Sequence, residues 1–190
     1  MSEKRSGRVY RIQVTVDSRE PANASIGRDA GRNRLTQREF PTRPLVGVGA
    51  VVVDDRGRVL LIKRGTEPMM GRWSLPGGLL DLGESLKEGV KREIFEETGL
   101  FVQPEAIVEV VDRIYRNSDG NQSQVRFHYV VVDYWCRVVG GDLKPSSDAS
   151  EVAWVSRAEW TDTNFYSLEL ITVQVIEKGW HMAHEAGNHV

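Results

Sequence analysis

Glu93, Glu96 and Glu97 stand at i, i+3 and i+4, a spacing that on a helix brings three carboxylates side by side along one surface. Like charges so placed repel and weaken an isolated helix slightly, but the arrangement turns favourable when a cation sits between them. With oxygen as the only ligand atom, the matching ion is a hard one such as Mg²⁺ or Mn²⁺. Upstream, the pair Gly77-Gly78 lets backbone come close to a ligand and offers carbonyl oxygens as further ligands. Three glutamates on an amphipathic helix are more often a solvated face than a metal site, so the surrounding sequence decides.

The element that must carry the trio is legible. Ser85 with Glu88 three residues later forms a capping box, and Gly99 closes the segment, so a helix is expected from Ser85 to Thr98. Leu86, Val90 and Ile94 form an apolar stripe beside the acidic face; docked on a sheet, that stripe holds the carboxylates at a groove lip. The sheet is announced by two apolar runs, Val46 to Val53 and Val59 to Ile62, around the turn Asp54 to Gly57. Further strands are expected at Ile107 to Tyr115, Val125 to Val138 and Glu151 to Val155, the first two around the turn Asn117 to Asn121, with Gly77 to Gly83 as a loop. Leu168, Leu170, Ile171, Val175 and Ile176 follow Ser167 at helical spacing, ending near Trp180. The class is α/β, a mixed sheet sandwiched between helices.

At 190 residues the chain suits one domain plus an extension. The domain is expected at 44–190 and an N-terminal extension at 1–43, where Asn23 to Gln37 reads as a polar linker. Before that linker, Val9 to Val16 alternates like a half-buried strand lacking a partner. Composition is that of a soluble protein, 40% hydrophobic and 27% charged with a formal net charge of -2, which argues against nucleic acid as the partner. No apolar run reaches the roughly 20 residues of a membrane span and no secretory signal is visible, so a cytoplasmic location is expected.

Other chemistry-bearing residues receive plain readings. Cys136 lies in an apolar run as a small buried residue. His181, His184 and His189 fall at a frayed polar helix end rather than a metal cluster, and His128 is a strand histidine. Arg28, Arg32, Arg34, Arg38 and Arg43 could touch nucleic acid or a substrate phosphate, but nearby acids dilute that field and a solvated linker is the favoured reading. Arg64 and Arg72 both lie shortly before the glycine pair and are candidates for pairing with substrate phosphate.

Gly78, Glu84, Arg92, Glu93, Ile94, Glu96, Glu97, Gly99 and Leu100 follow the order and spacing G-x5-E-x7-R-E-U-x-E-E-x-G-U, with U aliphatic. This resembles the box of the Nudix hydrolases, MutT among them, with no departure at a fixed position. A chance match in one window is on the order of one in a billion, which overrides the solvated-face reading. Arg72 to Gly78 looks like the usual approach to the box, and the similarity extends from Pro44 to Trp160.

The resemblance implies a Nudix fold with the box as loop-helix-loop, and hydrolysis of a pyrophosphate bond with Mg²⁺ or Mn²⁺ as cofactor. It implies Glu93, Glu96 and Glu97 as metal ligands, completed by the Gly77 carbonyl and Glu84, with Arg92 orienting the acidic cluster. Family members take their general base either from the box or from a later loop, leaving Glu93 and Glu151 as candidates. Glu151 enters because relatives often carry an acid before the strand that here contains Trp154.

For substrate, ADP-ribose or another nucleotide sugar comes first, because the N-terminal strand resembles the extension that ADP-ribose pyrophosphatases exchange between subunits. That strand also motivates a homodimer. Against this choice, a proline common in that subfamily is absent from Ile107 to Gly120. Tyr115 lies where diadenosine-polyphosphate hydrolases carry a tyrosine and would stack on a base, and a triphosphate house-cleaning hydrolase is the third reading. A non-catalytic nucleotide-sensing module is the alternative of another class. It is disfavoured by the intact box carboxylates and by an extension too short and polar for a helix-turn-helix.

Overall fold

The segment Leu45–Val53 is apolar on both faces, and in the computed structural model residues 47–52 are all buried, as expected for a strand covered on both sides. The structure describes residues 9–11, 38–117, 124–145, 149–162 and 165–187. In chain order its strands are β1 (Val9–Arg11), β2 (Leu45–Val53), β3 (Val59–Arg64), β4 (Trp73–Ser74), β5 (Gly77–Leu79), β6 (Leu100–Arg116), β7 (Val125–Gly141) and β8 (Ala149–Val155). The helices are α1 (Leu86–Thr98), α2 (Arg157–Thr161) and α3 (Leu170–Gly187). The sheet runs β1-β8-β3-β2-β7-β6, with β4 on β3 and β5 on β2. It is mixed, because β2 pairs parallel with β7 while the other neighbours are antiparallel.

Alternation along β2 sorts the core into two layers. Val48, Ala50 and Val52 pack with Val90 and Ile94 of α1, whereas Val51 packs with Trp160 of α2 and with Val175 and Ile176 of α3. The expected α/β/α sandwich is therefore present. The Ser85 hydroxyl and the Glu88 carboxylate cap the start of α1 reciprocally, and Gly99 ends it in the left-handed conformation, φ 72°, its N–H donating to the Phe95 carbonyl at 2.8 Å.

Several boundaries differ from expectation. The segment read as a loop from Gly77 contains β5, since glycine has poor strand propensity and only pairing with Gly47, Val48 and Gly49 reveals it. β6 starts at Leu100 rather than Ile107. Pro104 and a register shift between Pro104 and Ala106 hide its first half, and an edge strand tolerates that proline. α2 was not expected, although Ser156 with Glu159 three residues on is a capping pattern, and the Glu159 carboxylate accepts from the Ser156 N–H at 2.9 Å.

α3 continues past Trp180, so His181 and His184 lie on ordered helix rather than a frayed end. His181 Nε2 is 3.1 Å from Glu177, and His184 Nδ1 is 2.7 Å from the Trp180 carbonyl. His189, the tip of the turn around Asn117 to Asn121, and residues 12–16 of the N-terminal strand fall outside the described residues. What is described of that strand, β1, pairs antiparallel with β8 of the same chain, Tyr10 opposite Val152. The edge that motivated a homodimer is thus met within one chain. No helix among the described residues is long and apolar enough to cross a membrane.

Candidate active site

The glycine pair is where β5 meets α1. Gly77 has φ 148°, and a Cβ there would collide with the Val48 carbonyl and Gly49 of β2; a Cβ on Gly78 would collide with the Glu93 carboxylate. Glycine at both positions lets the strand pass under the helix and the carboxylates lean over it. The Gly77 N–H donates to Glu97 Oε2 at 2.7 Å. Glu93, Glu97, Gly77 and Gly78 consequently edge one cleft of about 240 Å³.

Arg92 organises the acids from outside this cleft. Its Nε and Nη2 donate to the two oxygens of Glu84, each at 2.8 Å, Nη1 donates to Glu93 at 2.8 Å and to Glu96 at 3.3 Å, and Nη2 also donates to the Leu79 carbonyl at 3.0 Å. These bonds hold the Glu84 carboxyl below its usual range and push the Arg92 guanidinium up. Burial raises Glu93 despite the opposing pull of Arg92, so its carboxylate lacks the solvation that a surface acid enjoys.

The expected metal ligands therefore separate. Glu93, Glu97 and Gly77 line the cleft, while Glu84 and Glu96 do not; Glu84 is held on both oxygens by Arg92, and the Glu96 side chain is more than half exposed. Among the described residues no three His, Cys, Asp or Glu side chains converge as a ready-made cage, because the guanidinium of Arg92 sits among Glu84, Glu93 and Glu96. The donors that do face the cleft are all oxygen and two are carboxylates drawn out of water. A hard divalent ion fits that donor set and offsets its charge.

Arg64, Arg72 and Tyr115 all line the cleft, as their candidacy requires. The Arg64 Nε donates to the Pro68 carbonyl at 2.8 Å, anchoring it to the loop between β3 and β4, and Arg72 Nη2 donates to the Ser167 carbonyl at 3.1 Å, tying the end of that loop to the segment before α3. Burial raises the Tyr115 hydroxyl pKa. Glu151 is placed differently. It is 8% exposed, has Lys63 Nζ at 3.1 Å and does not line the cleft. Its register opposite Lys63 puts it on the face of Leu61 and Ala153, the α2 and α3 side that Asp133 shares, but on β8 beside Lys63 rather than on the cleft wall.

Sequence reading missed several cleft residues. Arg38, taken as part of a solvated linker, lines the cleft, as do Arg113, Tyr129 and Asp133. Arg113 donates to Glu169 at 2.6 Å and to Thr172 at 3.1 Å at the start of α3. The available signal was a charge within an apolar strand, Arg113 and Asp133 both falling in runs otherwise suited to burial. His128 is 4.0 Å from Asp112 and lies away from the cleft, and Cys136 is buried in the α1-side core, where burial pushes its thiol up to about 12.

The model of the NUDIX domain matches residues 43–171. A MutT-like protein of Streptomyces ambofaciens is 31% identical over 147 residues, covering 76% of this chain and 86% of that protein. An ADP-ribose pyrophosphatase of Methanocaldococcus jannaschii is 36% identical over 121 residues, covering 64% of this chain and 63% of that protein, under two thirds of its length. Among solved structures, a MutT NUDIX hydrolase from Burkholderia pseudomallei aligns with a TM-score of 0.58 at 30% identity, covering 72% of this chain and 98% of that one.

Proposed function

The chain belongs to the NUDIX family, a hydrolase acting on pyrophosphate bonds, and from that premise we propose that it cleaves the diphosphate of a nucleoside diphosphate linked to a second group, ADP-ribose first. The observation that carries this reading is one cleft holding both charge types, with Glu93 and Glu97 and also Arg64 and Arg72 in its lining. Arginine forks match phosphate oxygens, and paired carboxylates match a cation that phosphate also binds.

Arg64 and Arg72 hold the diphosphate, and Glu93 takes the proton of a water whose oxygen forms the new bond to phosphorus while the bond from phosphorus to the bridging oxygen breaks. Arg92 keeps Glu93 in place through its bond at 2.8 Å. Nudix hydrolases generally use a divalent metal; here Mg²⁺ or Mn²⁺ would be held by Glu93, Glu97 and the Gly77 carbonyl, with Glu96 on the outer side, and would supply charge neutralisation on phosphate.

Of the two base candidates only Glu93 lines the cleft. Glu151→Gln is accordingly expected to lower kcat by less than about tenfold, under 1.4 kcal/mol. Steady-state kinetics checks this, and a thousandfold loss in a folded variant would return Glu151 to the role of base.

ADP-ribose is favoured by the relative bearing that activity in its name, and by Tyr115 and Tyr129 beside the arginines, which can flank a base. A coupled phosphate-release screen over ADP-ribose, nucleotide sugars, diadenosine polyphosphates and triphosphates with Mg²⁺ and Mn²⁺ tests it. ADP-ribose is expected to give the highest kcat/KM, yielding AMP and ribose 5-phosphate. A tenfold preference for a triphosphate would overturn the substrate assignment.

A further inference from the structure

Asp133 is 3% exposed, lies on the wall of the cleft, and its Oδ2 has no hydrogen-bond partner. Its neighbours on the same face of β7, Val131 and Trp135, are apolar or large, so an apolar side chain would serve the sheet better than a carboxylate. β2 nevertheless makes room for it. Gly49 is opposite Asp133 in the parallel register, and a Cβ on Gly49 would collide with Asp133 Oδ1. Arg113, whose charge acts on it, already donates to Glu169 and Thr172. Burial pushes the Asp133 carboxyl up to about 6.

The position relative to the acidic edge is fixed by strand register. Gly77 pairs with Gly49 on one side, and Asp133 pairs with Gly49 on the other, so two strand spacings, about 10 Å, separate Gly77 from Asp133. The floor between them is glycine backbone, Gly47 and Gly49 with Gly77 and Gly78. That separation is within reach of a nucleoside attached to a diphosphate held at the carboxylate edge, and Asp133, Tyr115 and Tyr129 line the cleft there.

We propose that Asp133 is a specificity-determining residue that accepts a hydrogen bond from a donor on the nucleoside half of the substrate, either a base N–H or a ribose hydroxyl. The proposal rests on the diphosphate reading of the same cleft. An unpaired buried acceptor is what gives such a site its selectivity, since a substrate lacking the donor leaves it unpaired.

The test is calorimetric binding of AMP, GMP, CMP and UMP in Mg²⁺ to the wild type, Asp133→Asn and Asp133→Ser, with inorganic pyrophosphate as the nucleoside-free probe. The wild type is expected to bind at least one nucleotide, and both variants to bind it at least tenfold more weakly while pyrophosphate binding changes less than threefold. Repeating the titration with the 2′,3′-dideoxynucleotide, which lacks both ribose hydroxyls, separates the sources. A variant effect that disappears assigns the ribose hydroxyl, and one that persists assigns the base.

Folded variants that bind all four nucleotides within threefold of the wild type, or lose pyrophosphate equally, or a wild type that binds no nucleotide, would overturn the proposal. If neither variant folds, the Asp133 carboxyl carbon resonance of the wild type decides: a shift with nucleotide but not pyrophosphate supports it, and no shift overturns it. Because binding is read without turnover, nucleotide selectivity in a chain that hydrolyses nothing in the screen would sink the proposed function and leave this inference standing.

Discussion

Glu97→Gln is expected to lower kcat in saturating Mg²⁺ by at least about a thousandfold, roughly 4 kcal/mol of transition-state stabilisation, with the fold unchanged. Glu97 lines the cleft with Glu93 and is 8% exposed, so its charge acts where solvent screens it little. Glutamine keeps an oxygen able to accept the Gly77 N–H, which now lies 2.7 Å from Oε2, and therefore preserves the contact that ties α1 to β5. What it removes is the negative charge that a divalent ion requires. Thermal melts matching the wild type alongside collapsed kcat are the expected pair of results. Undiminished turnover would remove Glu97 from the metal site, whereas a melt that collapses as well would show the charge serving the fold.

Arg92→Ala is expected to destabilise the protein by about 2–3 kcal/mol and to reduce activity together with stability. Removing one partner of a fully buried ion pair costs about 3–5 kcal/mol because the other charge is left unpaired; the Arg92 side chain is 26% exposed, while Glu84 and Glu93 are each 14% exposed, so the lower figure applies. At about 2–4 °C per kcal/mol for a chain of this size, the melting temperature should fall by roughly 5–10 °C. Arg92→Lys should recover little, since an ammonium cannot span both oxygens of Glu84 and reach Glu93 at once.

The pH dependence has a definite sign. Arg92 holds the Glu84 carboxyl below its ordinary value of 4.5, so the stability it contributes through Glu84 is whole above pH 4.5 and fades as pH falls through the lowered value. The gap between wild type and Arg92→Ala should therefore be widest at neutral pH and narrow in acid. Equal gaps at pH 7 and pH 3.5 would show that Glu84 is not the partner that matters.

Much of the site's frame is written locally. The limits of α1 are legible because Ser85, Glu88 and Gly99 cap the helix through contacts within one turn. The acid spacing is legible because helical periodicity needs no partner. β2 is legible because a strand covered on both faces has a continuous apolar run, and the layer order follows from there.

Which acid enters the cleft is another matter. On a helix Glu97 lies about 40° to one side of Glu93 and Glu96 about 60° to the other, so the sequence places all three on one side and stops. The rotation with which α1 docks through Val90 and Ile94 admits Glu93 and Glu97 and leaves Glu96 outside with Arg92. Strand order makes the same kind of decision for Glu151, on β8 beside Lys63, and for Asp133 and Arg113, on β7 and β6 where the cleft lies. Gly77–Leu79 becomes a strand only against Gly47–Gly49. Capping and periodicity are settled among neighbours in the chain, so residue order alone determined the acidic helix of the Nudix box. Helix rotation and strand register are settled by packing between segments distant in sequence, and they alone chose which of its carboxylates face the cleft.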